Sequence, residues 1–513
     1  RRTERARGGG WRWGGGGRNA TTIDLKPLRV QEAEQLVAAL SSQGVGPEMR
    51  QTIAQRAEGN PLFVEELVRM LLEGSGPGAT IPDTVQAVIT ARIDRLPVEE
   101  RRVLQAAAVM GRSFWPSAVA PLVGQMEEET RKAVEALIGK ELVVTRPHSA
   151  IAGEREYAFR HILTRDVAYG LLPKAQRHRA HAITARWIES RMGERVEEVI
   201  EILAEHLRQA GDDGRAAAYL HRAANKARRL SATADAVRLF DQARDSATRG
   251  GLPPQEIASL YLERGEVYQL MSAYPAALAD LERGLAAARQ AADPGLEAIL
   301  EHHVGLIHHR ELRLEEAEAH YARAASLARQ VGDRRIMGLS LVDLANVAWD
   351  RGKVEPDDPS LTEGIAILRE VGDRQDLVRG LNLMCMVQFS AGDGAAAIAA
   401  AQEALAVARE VGDKSREATS LSYLSIVNLY LGRYRESVSH AEAALSLARE
   451  IGDRRRIAFA IDFIGRAKMF LGEWGEAIQL LEEALPQVRE YAKIHLPFTL
   501  YALGMLYSEL GDE

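Results

Sequence analysis

Val371-Gly372-Asp373 is followed, forty residues on, by Val411-Gly412-Asp413 and then by Ile451-Gly452-Asp453, with Val331-Gly332-Asp333 one interval earlier. Gly352, Gly392, Gly432 and Gly472 form a second column at the same spacing, and the self-similarity runs without an insertion from about Ile257 to Glu490. Identity at a fixed period of this size marks stacked supersecondary units, each burying a face only against its neighbours. Half of the chain therefore reads as a solenoid, an architecture suited to holding partners.

Three further columns carry small residues. The first is Gly265, Gly305, Ala345, Cys385, Ser425 and Gly465; twelve positions later come Ala277, Ala317, Asp357, Ala397, Ser437 and Ala477. The third is Gly284, Ala324, Gly364, Ala404, Ala444 and Ala484. Small side chains at these offsets let two helices of a hairpin, and then the next hairpin, approach closely. The column at 352, 392, 432 and 472 falls between helices, where a C-cap needs positive φ. The pattern resembles the tetratricopeptide repeat in its small-residue spacing, with a unit longer than that family's 34 residues. HEAT and armadillo repeats have suitable length but lack this arithmetic.

A further phase is traced upstream at Ala224, Ala236, Phe240 and Ala243. The unit holding Asp357 departs most, because Pro356 and Pro359 must delay its second helix. A local opening of the solenoid and a partner-specific notch both fit that delay. Cys385 stands in a small-residue column and reads as a packing residue.

Composition sets the remaining bounds. At 513 residues the chain exceeds one core, and only 5% of it is aromatic, so helices packed through Ala and Leu supply most of the interior. A net charge of −7 with both signs interspersed gives no global attraction to nucleic acid or membrane. One cysteine excludes internal disulfides and cysteine-based zinc sites. No apolar run approaches the length of a membrane span, and the Arg- and Gly-rich N-terminus has no apolar signal core. A soluble, cytoplasmic protein is expected, which makes the sequon Asn19-Ala20-Thr21 a coincidence. The missing initiator Met, and a last repeat that stops at Glu513 after one helix, suggest a fragment of a longer polypeptide.

The N-terminal half has a different texture. Leu25-Lys26-Pro27-Leu28 precedes a helical run, and Gly59-Asn60-Pro61-Leu62-Phe63 opens another. Residues 81–160 read as three or four short helices and then two strand-like runs, Leu142–Thr145 and Glu156–Phe159, around a turn with Gly153. Helices followed by a two-stranded wing predict a winged helix. Next comes Phe159-Arg160-His161-Ile162-Leu163-Thr164-Arg165-Asp166.

Taken with Leu-x-Pro-Leu and Gly-Asn-Pro, that phrase resembles the C-terminal part of a STAND nucleotide switch, the signal-transduction ATPases. The nearest likeness is to bacterial regulators with an AAA-type ATPase core, a helical and winged-helix segment and tetratricopeptide repeats, some of them associated with an adenylate cyclase. The resemblance implies a mostly α fold, with a helical lid subdomain and winged helix followed by a superhelical αα-hairpin solenoid. Its expected parts are residues 1–22 as a remnant of an upstream core or a disordered segment, 23–78 as the lid and 79–160 as the winged helix. Residues 161–250 form a helical linker and first repeat, and 251–513 form repeats truncated at the C-terminus.

In that family a Gly-x-Pro packs its proline on the nucleotide base, and Gly59 and Pro61 match it; an ordinary helix break is the alternative. The family's Met-His-Asp histidine meets the β-phosphate of ADP. His161 falls there, with Arg160 and Ile162 replacing the flanking residues, and a capping or core histidine is the alternative. ATP or ADP is thus implied for the whole protein, held with an upstream nucleotide-binding core.

No Gly-x-x-x-x-Gly-Lys-Ser/Thr occurs: Gly139-Lys140 is followed by Glu, Gly352-Lys353 lies in a repeat turn, and Leu341-Val342-Asp343 is on a repeat helix. The chain is expected not to be an enzyme by itself. His302, His303, His308 and His309 could be read as metal ligands, and His178 with His181 more weakly, but no carboxylate set is assured nearby. The basic stretch Arg160–Arg191 beside a winged helix permits a DNA-binding reading, yet the candidate recognition helix begins Glu127-Glu128-Glu129, which phosphates would repel. The favoured reading is a non-catalytic regulatory half of a nucleotide switch, with a protein or small molecule bound on the repeats and ligand-induced self-association. A free-standing scaffold and a DNA-binding regulator are the alternatives.

Overall fold

The structure is a computed structural model that describes residues 26–41, 45–72, 82–151, 153–353, 355–492 and 495–511. The expectation for residues 1–22 lies outside the described residues. Contacts divide the chain into two units, residues 1–223 and 224–513.

In the first unit α1 (Val30–Leu40), α2 (Pro47–Arg56) and α3 (Pro61–Leu72) pack around Val37, Ile53, Val64 and Leu67. A second block holds α4 (Val85–Asp94), α5 (Val98–Met110), β1 (Ser113–Phe114), α6 (Pro116–Val123) and α7 (Glu127–Gly139), then β2 (Val143–Thr145) and β3 (Tyr157–Phe159). Its sheet is antiparallel in the order β1-β3-β2, with Ser113 opposite Ala158 and Val143 opposite Phe159. The two runs expected as strands pair with each other, and β1 is an addition that sequence did not announce. Phe114, Tyr157 and Phe159 pack together and anchor the sheet to α5 and α7. Next come α8 (Ile162–Gly170), α9 (Lys174–Met192) and α10 (Ile200–Gln209).

Helix α11 (Asp213–Arg229) crosses the division and precedes α12 (Thr233–Arg249). In the second unit, first helices alternate with second helices: α13 (Pro254–Leu270) with α14 (Tyr274–Gln290), α15 (Pro294–Arg310) with α16 (Leu314–Val331), and α17 (Arg334–Asp350) with α18 (Pro359–Val371). Then follow α19 (Arg374–Ser390) with α20 (Gly394–Val411), α21 (Lys414–Tyr430) with α22 (Tyr434–Ile451), α23 (Arg454–Phe470) with α24 (Trp474–Tyr491), and α25 (Leu496–Leu510). Each helix packs on the next, and each first helix also touches the following first helix, which is the contact pattern of a superhelical solenoid.

The Val-Gly-Asp triplet is a stop followed by a start. Gly332, Gly372, Gly412 and Gly452 end their helices at φ 71–75°, a left-handed conformation that frees the last carbonyls for capping. The aspartate after each glycine caps the next helix, as when Asp333 accepts from the Ile336 N–H at 3.0 Å and Asp453 from the Arg456 N–H at 3.0 Å. The first two small columns meet where hairpin helices cross: Ser437 Oγ donates to the Ser425 carbonyl at 2.9 Å. Pro359 sits in the first turn of α18, capped by Asp358, so this helix has 13 residues against 17 or 18 in its equivalents, and Asp357 is exposed. Cys385 is fully buried among Ala397, Ala401 and Leu424, and burial pushes its thiol up to about 12.

Candidate functional sites

Gly59 turns the chain into α3 at φ +75°, and its carbonyl accepts the Leu28 N–H at 2.9 Å. A Cβ there would lie 2.4 Å from the Leu28 carbonyl oxygen, so the glycine serves the close approach of Pro27 and Leu28. Asn60 caps α3 by accepting the Leu62 N–H at 3.1 Å, and Pro61, exposed, occupies the first turn, where a missing N–H costs nothing.

One turn beyond Pro61, Glu65 faces His161, whose Nε2 is 3.6 Å from Glu65 Oε2. That separation is too long for a hydrogen bond, and Nε2 is buried with no hydrogen-bond partner among the described residues. Burial lowers the His161 pKa while Glu65 and Glu66 oppose the shift, so the ring is neutral at pH 7. His161 is also the residue before α8, and its side chain makes no capping bond.

Charges surround it in balance. Glu66 and Arg92 form a buried pair at 2.6 Å, and Arg92 also donates to the Lys140 carbonyl at 3.1 Å. Arg69 pairs with Glu65 at 2.5 Å and with Glu141, and Arg160 reaches Glu141 at 3.3 Å. Of the three expected residues, the fold brings His161 against the helix that Pro61 opens, while Gly59 faces inward. Glu65 and Arg69 escaped sequence reasoning, because only the fold joins positions nearly a hundred residues apart.

The other candidates have structural partners. His302 bonds Asp343 at 2.8 Å, His309 bonds Asp350 at 2.7 Å, His303 lies 3.5 Å from Glu266, and His308 stacks on His320. These four join α15 to α13, α16 and α17, and no group of three or more potential metal ligands gathers among the described residues. His181 shares Nδ1 with His206 Nδ1 at 2.8 Å and Nε2 with the Tyr169 hydroxyl at 2.9 Å. In the basic stretch, Arg165 donates to the Ala108 carbonyl, Arg177 to those of Leu172 and Gly170, and Arg191 pairs with Glu154.

A second candidate site runs along the first helices of the second unit. A recess of about 310 Å³ lies over α17, α19 and α21, and a second of about 220 Å³ lies over α21 and α23, with Thr419 and Tyr423 common to both. Its lining falls on the repeat period. Val342, Asn382 and Ser422 are equivalent positions, as are Asp343, Leu383 and Tyr423, then Asn346, Met386 and Ile426, then Arg379, Thr419 and Phe459. Asn382 is 6% exposed and its Oδ1 has no hydrogen-bond partner among the described residues. Sequence reasoning missed these positions; their signal is a column that keeps its phase two or three residues before the small column and changes its chemistry in every unit.

Residues 29–75, spanning α1 to α3, match a family model described as a domain of unknown function (DUF8739). No curated protein matches the sequence. Among solved structures, a STAND protein with a tetratricopeptide repeat sensor, PH0952 from Pyrococcus horikoshii, superposes over 97% of this chain and 72% of its own, with TM-score 0.54 and 14% identity. The apo quorum sensor NprR from B. thuringiensis covers 72% of this chain and 97% of its own at 11% identity and TM-score 0.47. Aspartyl phosphate phosphatase F from Bacillus subtilis covers 82% and 97% at 15% identity and TM-score 0.44. Residues 376–450, from α19 to α22, match the tetratricopeptide repeat model. Residues 376–450 carry a tetratricopeptide repeat domain, and the hairpins on either side repeat the same helical arrangement.

Proposed function

We propose that this chain is the regulatory, ligand-sensing part of a STAND-type nucleotide switch. In this reading α1–α3 form the lid, the β1-β3-β2 block is a winged helix packed for intramolecular use, and the repeats form the sensing surface of a cytoplasmic signalling protein. The observation that carries it is the meeting of His161 with α3 one turn from Pro61, across a hundred residues of sequence. A neutral imidazole with a free Nε2 can bond a phosphate, and the exposed Pro61 ring offers an apolar face to a base. The nucleotide is ADP or ATP, and its phosphates need a core with a phosphate loop, a motif this sequence lacks. The shared fold with an archaeal STAND protein over nearly the whole chain supports the assignment. Glu127, Glu128 and Glu129 at the head of α7, two of them paired with Arg131, favour this use of the block over DNA binding.

A ligand on the repeats shifts such a switch only by its differential affinity for the two states, and self-association would follow opening. The test is calorimetric titration of ADP and ATP into the chain alone and into the chain joined to its phosphate-binding core. The chain alone is expected to bind neither tightly. With the core present, His161→Ala should weaken ADP selectively and Pro61→Ala should weaken both. Unchanged ADP affinity in both variants would refute the assignment.

A further inference from the structure

The Glu65 carboxylate stands where an anion would. Three nitrogen-bearing side chains, one from α3 and two from the β3–α8 connection, converge on it. Arg69 donates to Oε1 at 2.5 Å, Arg160 Nη2 lies 3.6 Å from the same oxygen, and His161 Nε2 lies 3.6 Å from Oε2. Only the first of these is a hydrogen bond; the other two groups are drawn to the carboxylate without reaching it. His161 Nε2 has no hydrogen-bond partner among the described residues, and the other Arg160 contact, to Glu141, is 3.3 Å. A phosphate has more oxygens than a carboxylate and a second negative charge, so it can bond Arg160 and His161 together.

Two features let Glu65 withdraw. Arg69 Nη2 is shared between Glu65 and Glu141, so the loss of one carboxylate does not strand this mostly buried guanidinium. Glu141 itself sits at φ +58° in the turn after α7, where glycine is the unstrained residue, and what its side chain returns is the second carboxylate of the cluster. Glu66 cannot exchange roles with Glu65, because it is committed to the buried Arg92 at 2.6 Å. With two glutamates against two arginines the cluster is already neutral. A dianion added beside Glu65 would meet its charge at contact range, so phosphate and the Glu65 carboxylate exclude each other.

We propose that Glu65 is a tethered competitor for phosphate: its carboxylate lies between Arg160 and His161, swings out when phosphate binds, and leaves Arg160 as a phosphate contact beside His161. This step rests on His161 facing phosphate in the nucleotide-switch reading. To test it, inorganic phosphate is titrated into the full chain at constant pH and ionic strength while histidine Cε1–H resonances are followed, His161 being assigned by its loss in His161→Ala. The His161 signal should move in Glu65→Gln with a half-saturation about tenfold or more below wild type, the scale of removing one charge at contact range. Glutamine keeps the volume and an acceptor for Arg69, so the fold is retained. Adding Arg160→Ala to Glu65→Gln should cancel the gain. Glu141→Gln removes the same charge from the same cluster but no competitor, and should leave the half-saturation near wild type. Equal gains in Glu65→Gln and Glu141→Gln would mean a field effect, and a stationary His161 signal in Glu65→Gln would mean that phosphate does not reach it; either overturns the proposal. In the chain joined to its phosphate-binding core, His161→Ala and Pro61→Ala decide the nucleotide reading separately. There Glu65→Gln should tighten ADP, and a weakening would refute the competitor even where His161→Ala upholds the nucleotide site.

Discussion

Replacing Gly59 with alanine separates a backbone requirement from a ligand contact. Gly59 and Gly332 share a φ of +75°, but a Cβ on Gly332 meets nothing within 4 Å, whereas one on Gly59 lies 2.4 Å from the Leu28 oxygen, 2.8 Å from Pro27 Cβ and 2.9 Å from the Leu28 nitrogen. For Gly332→Ala the left-handed conformation costs roughly 1–2 kcal/mol, partly offset by a stiffer unfolded chain worth about 0.4–1 kcal/mol. Gly59→Ala adds a collision with backbone that no rotamer relieves. The Leu28 segment must move, at roughly 1–3 kcal/mol for overpacking and about 1 kcal/mol for the lost Leu28–Gly59 hydrogen bond. Gly59→Ala should therefore be costlier than Gly332→Ala by roughly 2–4 kcal/mol. Because a repeat array does not unfold in two states, the assay is native-state hydrogen exchange read separately over α1–α3 and over α16–α17. Equal losses at the two sites would refute the argument. If it holds, any binding defect in Gly59→Ala reports broken packing of α1–α3, and Pro61→Ala is the variant that probes the proposed nucleotide contact.

Cys385→Ala should be tolerated within about 1 kcal/mol and Cys385→Leu should cost roughly 1–3 kcal/mol, since the site is fully enclosed; equal tolerance in thermal melts would mean that the column yields. Leu312, 78% exposed and at φ 59°, occupies the phase filled by Gly352 one unit later, so Leu312→Gly should stabilise the repeats by about 1 kcal/mol, and a loss of stability would contradict the strain. Burial holds His181 at about 4 and His206 at about 3 in the first unit. Free imidazoles titrate near 6.5, so the unfolded chain binds more protons below that pH, and stability should fall from pH 6.5 toward 4. The slope is at most about 1.4 kcal/mol per pH unit for each histidine. A flat profile in α9 and α10 exchange between pH 7 and 5 would remove the buried neutral pair.

The first unit was legible only locally. Gly59-Asn60-Pro61 announced a turn into a helix, and the runs around Gly153 announced two strands, because each signal lies within a few residues. The two-residue strand Ser113–Phe114 gave none: it spans a single period of alternation, and Pro116 follows after one residue. The neighbours of His161 were beyond reach for another reason. Glu65 and Arg69 look like an ordinary i,i+4 pair on a solvated helix, and only packing of that helix against the β3–α8 connection turns them toward the histidine.

The second unit shows which sequence positions can reveal what. A column that must be small, or must turn left, is under the same physical demand in every hairpin, so it repeats and is read at once; Ser425 against Ser437 and the Gly-Asp stops are of this kind. The helix positions two and three before the small column face the groove in α17, α19 and α21, but nothing about stacking dictates their chemistry. Those positions hold Val342 and Asp343, then Asn382 and Leu383, then Ser422 and Tyr423. Periodicity searches discard such columns because they do not match. In a solenoid the residues that agree from unit to unit build the stack, and those that hold their phase while disagreeing have been left free to fit a ligand. Asn382, buried on α19 with an Oδ1 that has no hydrogen-bond partner among the described residues, stands in such a column.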